Sequence, residues 1–102
     1  MQIQITAMAW FKRENFDRLL AMFEDGHKLH RTYDKWLQAA ETGRKTFEVK
    51  GGRVICVDID PDDFPKWCNT KGMNLDANAR MRYASEIGSK VLVSVQPPDV
   101  AQ

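Results

Sequence analysis

Polar and apolar positions alternate at the start of the chain. Gln2-Ile3-Gln4-Ile5-Thr6 puts Ile3, Ile5, Ala7 and Ala9 on one face, the pattern of a half-buried strand. Lys12-Arg13-Glu14-Asn15 breaks the alternation, and Asn15 is placed to cap a helix whose apolar stripe is Phe16, Leu19, Leu20 and Phe23. Asp25-Gly26 reads as its stop, because glycine takes the left-handed conformation that ends helices. Thr32 is the cap of a second helix, with Tyr33, Trp36, Leu37 and Ala40 on one face.

The end of that second helix is ambiguous. If it stops at Gly43, Thr46–Lys50 pairs with Arg53–Ile59 as a hairpin turning on Gly51-Gly52. If it continues, Ala40, Arg44 and Phe47 keep the helical spacing and the helix ends at Gly51-Gly52. The spacing favours the longer helix. Arg53-Val54-Ile55-Cys56-Val57-Asp58-Ile59 follows as a strand, apolar on both parities near its start and so expected to be covered on both sides there.

Asp60-Pro61-Asp62-Asp63 reads as a turn leading to a short helix from Phe64 to about Lys71, with Pro65 in its first turn and Gly72 past its end. Asp76 or Asn74 then caps a fourth helix carrying Ala79, Tyr83, Ala84 and Ile87 and stopping at Gly88. Val91, Val93 and Val95 alternate with Lys90, Ser94 and Gln96 as a last strand, which Pro97-Pro98 ends, and residues 97–102 read as a disordered tail. The order is β-α-α-(β)-β-α-α-(β), an α/β or α+β domain of two layers with helices on a sheet of two to four strands. The alternative is a ferredoxin-like split β-α-β arrangement, which requires the hairpin.

Composition narrows the class without pointing to an activity. The chain has 102 residues, enough for one domain, and its 15 Lys+Arg against 14 Asp+Glu give a formal charge of +1. Such a balance argues against a protein that coats nucleic acid or an acidic membrane. The charge is uneven: residues 1–53 hold ten basic and seven acidic side chains, residues 54–102 five and seven. The acidic excess sits in Asp58–Asp63. No apolar stretch is longer than that of Ala7–Phe11, which is far short of a membrane span, and the N-terminus lacks the charge pattern of a signal peptide. A cytoplasmic protein with Cys56 and Cys68 as free thiols is expected.

Few constellations could carry chemistry. A carboxylate at a strand end with others two and four residues on can gather a hard cation, which makes Asp58 and Asp60, together with Trp10, candidates for a ligand or metal site at the C-terminal ends of the strands. The competing reading is that these aspartates serve the turn and cap the helix after it. His27 and His30 have a metal-pair spacing on a helix but no third ligand nearby, and two loop histidines are the simpler reading. Cys56 lies inside a strand where inert thiols sit, and no nucleophile elbow, phosphate loop or dinucleotide fingerprint occurs. No catalytic residue, metal or cofactor is expected. Arg44, Lys45, Lys50 and Arg53 form a basic cluster suited to phosphates, but Glu41 and Glu48 intersperse it, so a mixed-charge solvated face is favoured and nucleic acid is not the expected partner.

Ala9-Trp10-Phe11 with Phe16-Asp17-Arg18-Leu19-Leu20, Thr32–Leu37, Gly52–Ile55, Val57–Phe64, Trp67-Cys68 and Asp76–Arg80 with Tyr83-Ala84 together resemble a family of small bacterial proteins of unknown function. The resemblance spans residues 7–88 and implies a bacterial origin and a single domain. It supplies no activity. The function expected is that of a non-catalytic protein-interaction module, a homodimer or the partner of another protein. A sheet of so few strands leaves edges to cover, and Trp10 and Trp36 would be the interface anchors if more than half exposed. The alternatives are a small-molecule or metal-binding protein, or small enzyme, at the strand ends near Asp58 and Asp60, and a weak nucleic-acid binder.

Overall fold

The computed structural model describes residues 4–95, with side chains to residue 91. Strand β1 (Ile5–Trp10) is followed by a 3-10 turn at Arg13–Asn15, helix α1 (Phe16–Met22), a second 3-10 turn at Gly26–Lys28 and the long helix α2 (Tyr33–Val49). Strand β2 (Arg53–Asp58) and helices α3 (Asp63–Lys71) and α4 (Ala77–Val95) complete the fold. The two strands pair in parallel, in register from Ile5 with Arg53 to Trp10 with Asp58. The described residues form an α+β fold of helices packed on a small sheet, the class the sequence pattern predicts.

Thr32 caps α2 by accepting a hydrogen bond from the Lys35 amide at 3.2 Å. The helix passes through Gly43 and ends where Gly51 takes φ +92°. The hairpin therefore does not form, and with it goes the ferredoxin-like alternative. Gly72 ends α3 in the left-handed conformation, φ +66°, as expected. Asp76 rather than Asn74 caps α4: its carboxylate accepts from the Ala79 amide at 3.0 Å while its carbonyl accepts from Arg80.

Four expectations are corrected. Asn15 makes no side-chain cap hydrogen bond, and α1 ends at Met22 with Phe23 turning extended, before Asp25-Gly26. Gly26 is not in the left-handed region, and a Cβ there would run into the Leu20 carbonyl oxygen; the glycine permits a close chain approach rather than a stop. Gly88 likewise lies inside α4, which continues to Val95 as helix where a strand was expected. A Cβ on Gly88 would stand 2.9 Å from the Ala7 Cβ and about 4 Å from Val57 and Ile55, so the missing side chain lets α4 sit directly on the sheet. Gln96 and the expected tail at 97–102 lie outside the described residues.

The core is strongly aromatic. Phe11 stacks on Trp36 at 4.5 Å between ring centroids, Phe23 meets Phe64 edge-on at 5.9 Å, and Phe64 meets Tyr83 edge-on at 5.3 Å. These contacts join the α1–α2 side of the core to α3 and α4, and edge or offset contacts of this kind add to the burial of the rings themselves. Leu19, Ile59 and Cys68 fill between them. On the sheet, Ala7, Ile55 and Val57 face α4, while the opposite face meets α2, where Gly43 comes near Met8. Cover on that second face is partial, since Cys56 in mid-strand is exposed. Among the described residues no helix is long and apolar enough to cross a membrane.

Candidate functional site

The C-terminal ends of the strands bring Trp10 and Asp58 side by side in register. The Asp58 carboxylate lies 3.6 Å from the Lys12 ammonium, both about half exposed. Asp60 turns back on the chain: its Oδ1 accepts from the Asp62 amide at 2.7 Å and the Asp63 amide at 2.9 Å, and its carbonyl accepts from Phe64. Those are the bonds of an N-cap with Pro61 as the first helical residue, so the hydrogen-bonded helix effectively begins ahead of Asp63. The Asp63 and Asp62 amides hold the Asp60 carboxyl below its ordinary pKa. Asp62 pairs with Arg18.

The acidic run therefore fans out, with Asp58 on a lysine, Asp60 on backbone amides and Asp62 on an arginine. Among the described residues no group of three or more His, Cys, Asp or Glu side chains could hold a metal ion. His27, in the second 3-10 turn, and His30 are both exposed. Both thiols are free, and burial raises the pKa of each.

Trp10 and Trp36 lie together, rings 5.3 Å apart and edge-on, but within the aromatic cluster. Trp36 is only 8% exposed and Trp10 half-buried, so neither meets the exposure on which an anchoring role was conditioned. The basic cluster divides. Arg44 donates to Glu41 at 2.6 and 3.0 Å, reaches Glu48 at 3.9 Å and lies over the Trp10 ring, while Lys45, Lys50 and Arg53 are exposed.

A pair that the sequence reading missed is the most buried ionic contact among the described residues. Arg80, 7% exposed, donates to Asp25 from α4 and stacks its guanidinium 4.4 Å from the centre of the Phe23 ring. A signal was there: Arg80 stands three and four residues before Tyr83 and Ala84, inside the apolar stripe of its helix.

The feature with the most unsatisfied chemistry is the sheet. The Arg53 amide donates to the Gln4 carbonyl and the Ile59 amide to the Trp10 carbonyl. In a parallel ladder this turns the even residues of β1 and the odd residues of β2 toward each other. The backbone groups of Ile5, Ala7 and Ala9, and on the other edge those of Val54, Cys56 and Asp58, point outward, and the hydrogen bonds among the described residues leave them without a partner. Between α4 and the sheet a shallow cleft of about 200 Å³ is lined by Ile5, Thr6 and Ala7 of β1, Ile55 of β2, and Ser85, Gly88 and Ser89. No protein-family model, curated protein or solved structure matches the chain.

Proposed function

We propose that the protein is a non-catalytic protein-interaction module that works by self-association. The observation that carries this reading is the two-stranded parallel sheet whose two edges have no strand partner among the described residues. Parallel sheets in stable domains are usually larger and covered, and an open edge is a template for another strand. Apolar side chains on the outside add to it: Met81 is 68% and Val49 84% exposed. A site at the strand ends has less in its favour, because Asp58, Asp60 and Asp62 already answer to Lys12, backbone amides and Arg18. A phosphate-binding face loses Arg44 to Glu41 and Glu48.

Sedimentation velocity over a wide concentration range tests the reading. A mass that rises with concentration toward twice the 11.7 kDa of the chain is expected. A monomer throughout, at every concentration the protein tolerates, overturns it.

A further inference from the structure

We propose that a second copy of the chain pairs with the outer edge of β1, antiparallel about a twofold axis at Ala7, joining the two sheets in the order β2-β1-β1-β2. The proposal rests on the interaction-module reading and specifies its partner and surface.

The backbone of β1 is self-complementary in this register. Its outward groups belong to Ile5, Ala7 and Ala9. With Ala7 opposite Ala7 and Ile5 opposite Ala9, each outward residue exchanges both its N–H and its C=O with a counterpart. Residues directly opposite share a face, so the Ala7 side chains of both copies stay on the α4 side, as they must if each α4 is to remain in place.

The edge also lacks the devices that keep strands apart. Ile5-Thr6-Ala7-Met8-Ala9-Trp10 contains no charge and no proline. The other edge is guarded: β2 begins with exposed Arg53 and ends with exposed Asp58, and Glu48 of α2 lines a cleft with Arg53 and Val54. Pairing along β1 brings no like charges together at the axis.

The helices fit as well. Gly88 lies against Ala7 of β1 and, slightly farther off, Ile55 and Val57 of β2, so α4 crosses both strands and sits nearer β1. With strands about 4.8 Å apart, two such helices stand less than about 10 Å from each other across the axis, a close approach that needs small residues between them. Ser85 and Ser89 are exposed, small, and share the cleft with Ile5 and Ala7, while Met81 continues the stripe one turn earlier. An edge of six residues with one helix stripe is at the small end of interface sizes, so association in the micromolar range is expected.

The test combines surface variants with a thiol the protein already carries. Ser85→Arg and Ser89→Arg, at exposed helix positions, should leave the circular dichroism and melting midpoint near those of the parent and weaken dimerisation by about tenfold or more in sedimentation. In a Cys56→Ser background, Ser89→Cys should yield a disulfide-linked dimer on mild oxidation, because residue 89 faces its counterpart near the axis. The native Cys56 should not, since three strand spacings of about 4.8 Å keep the two copies beyond disulfide reach. A dimer that survives both arginine variants, or one that oxidation traps through Cys56, overturns the β1 edge while leaving self-association standing. A chain that stays monomeric overturns both.

Discussion

Arg80 donates two parallel hydrogen bonds to Asp25, Nη1 to Oδ1 and Nη2 to Oδ2, each 2.8 Å long, across 55 positions of the chain. The pair fastens the loop after α1 to the first turns of α4, and a backbone bond from the Glu24 amide to the Leu75 carbonyl, 2.8 Å, runs beside it. Planar bidentate geometry with an aromatic ring beneath the guanidinium suits arginine specifically.

Removing Arg80 leaves Asp25 without its partner in a partly buried site. Arg80→Met is expected to lower stability by roughly 3 kcal/mol, and Arg80→Lys to recover only part of it, since an ammonium cannot make both bonds. The Arg80 hydrogen bonds lower the Asp25 pKa, against burial, which raises it. The unfolded carboxyl titrates near 3.9, so the pair's contribution is complete above that pH and is lost as pH falls through the lower folded value. Urea melts of the parent should weaken across this acid window, and Arg80→Met should show a flatter pH dependence there. An identical acid slope in the two proteins would contradict the assignment.

Two glycines inside helices should respond in opposite directions to alanine. Gly43 and Gly88 are both mid-helix, so alanine offers each a similar gain in helix propensity of up to about 1 kcal/mol. At Gly43 the new methyl meets only Met8 Cε at an ordinary 3.9 Å, and the variant is expected to be more stable. At Gly88 it presses on Ala7 at 2.9 Å, where the neighbour is itself a short side chain on a strand and cannot swing away. Gly88→Ala should be destabilised by about 1–3 kcal/mol as α4 lifts from the sheet. Thermal melts of the two variants decide it, and equal shifts of one sign would mean that propensity outweighs packing at position 88.

Asp60 should behave as a cap. Asp60→Ala removes the acceptor for the Asp62 and Asp63 amides, and both should exchange with solvent faster while the far end of α3 is little changed. Asp60→Asn should restore most of the protection, because the amide oxygen caps equally well. Millimolar Mg²⁺ should leave the backbone resonances of Asp58–Asp63 in place. A saturable shift shared by Asp58 and Asp60 would favour the ligand site over the cap.

The helical periodicity of the chain was legible, including the stretch at 43–50 where two readings competed. Arg44 and Phe47 kept the spacing, and α2 runs on to Val49. Gly26 and Gly88 misled because a glycine looks the same in a sequence whether it stops a helix or admits a neighbour, and only the packed partner distinguishes them. The valines after Gly88 misled for a related reason: β-branched residues alternate well enough to suggest a strand, yet α4 was already propagating and carried them into its last turns. The acidic run was visible, with both of its readings, but the positions of Lys12, Arg18 and the two amides that divide it are tertiary facts. Arg80 was hidden by the habit of reading arginine as surface.

Every rung of the sheet joins residues forty-eight positions apart, from Ile5 with Arg53 to Trp10 with Asp58. On the ribosome β1 emerges before β2 and lacks that partner until the whole of α1 and α2 has followed it. At typical synthesis rates that wait lasts roughly 2–10 s. Throughout it, an uncharged strand is bare along both sides, and neighbouring nascent chains on the same message carry the same strand. The order of synthesis thus leaves β1 open to encounter between growing copies before β2 is available to claim its inner side.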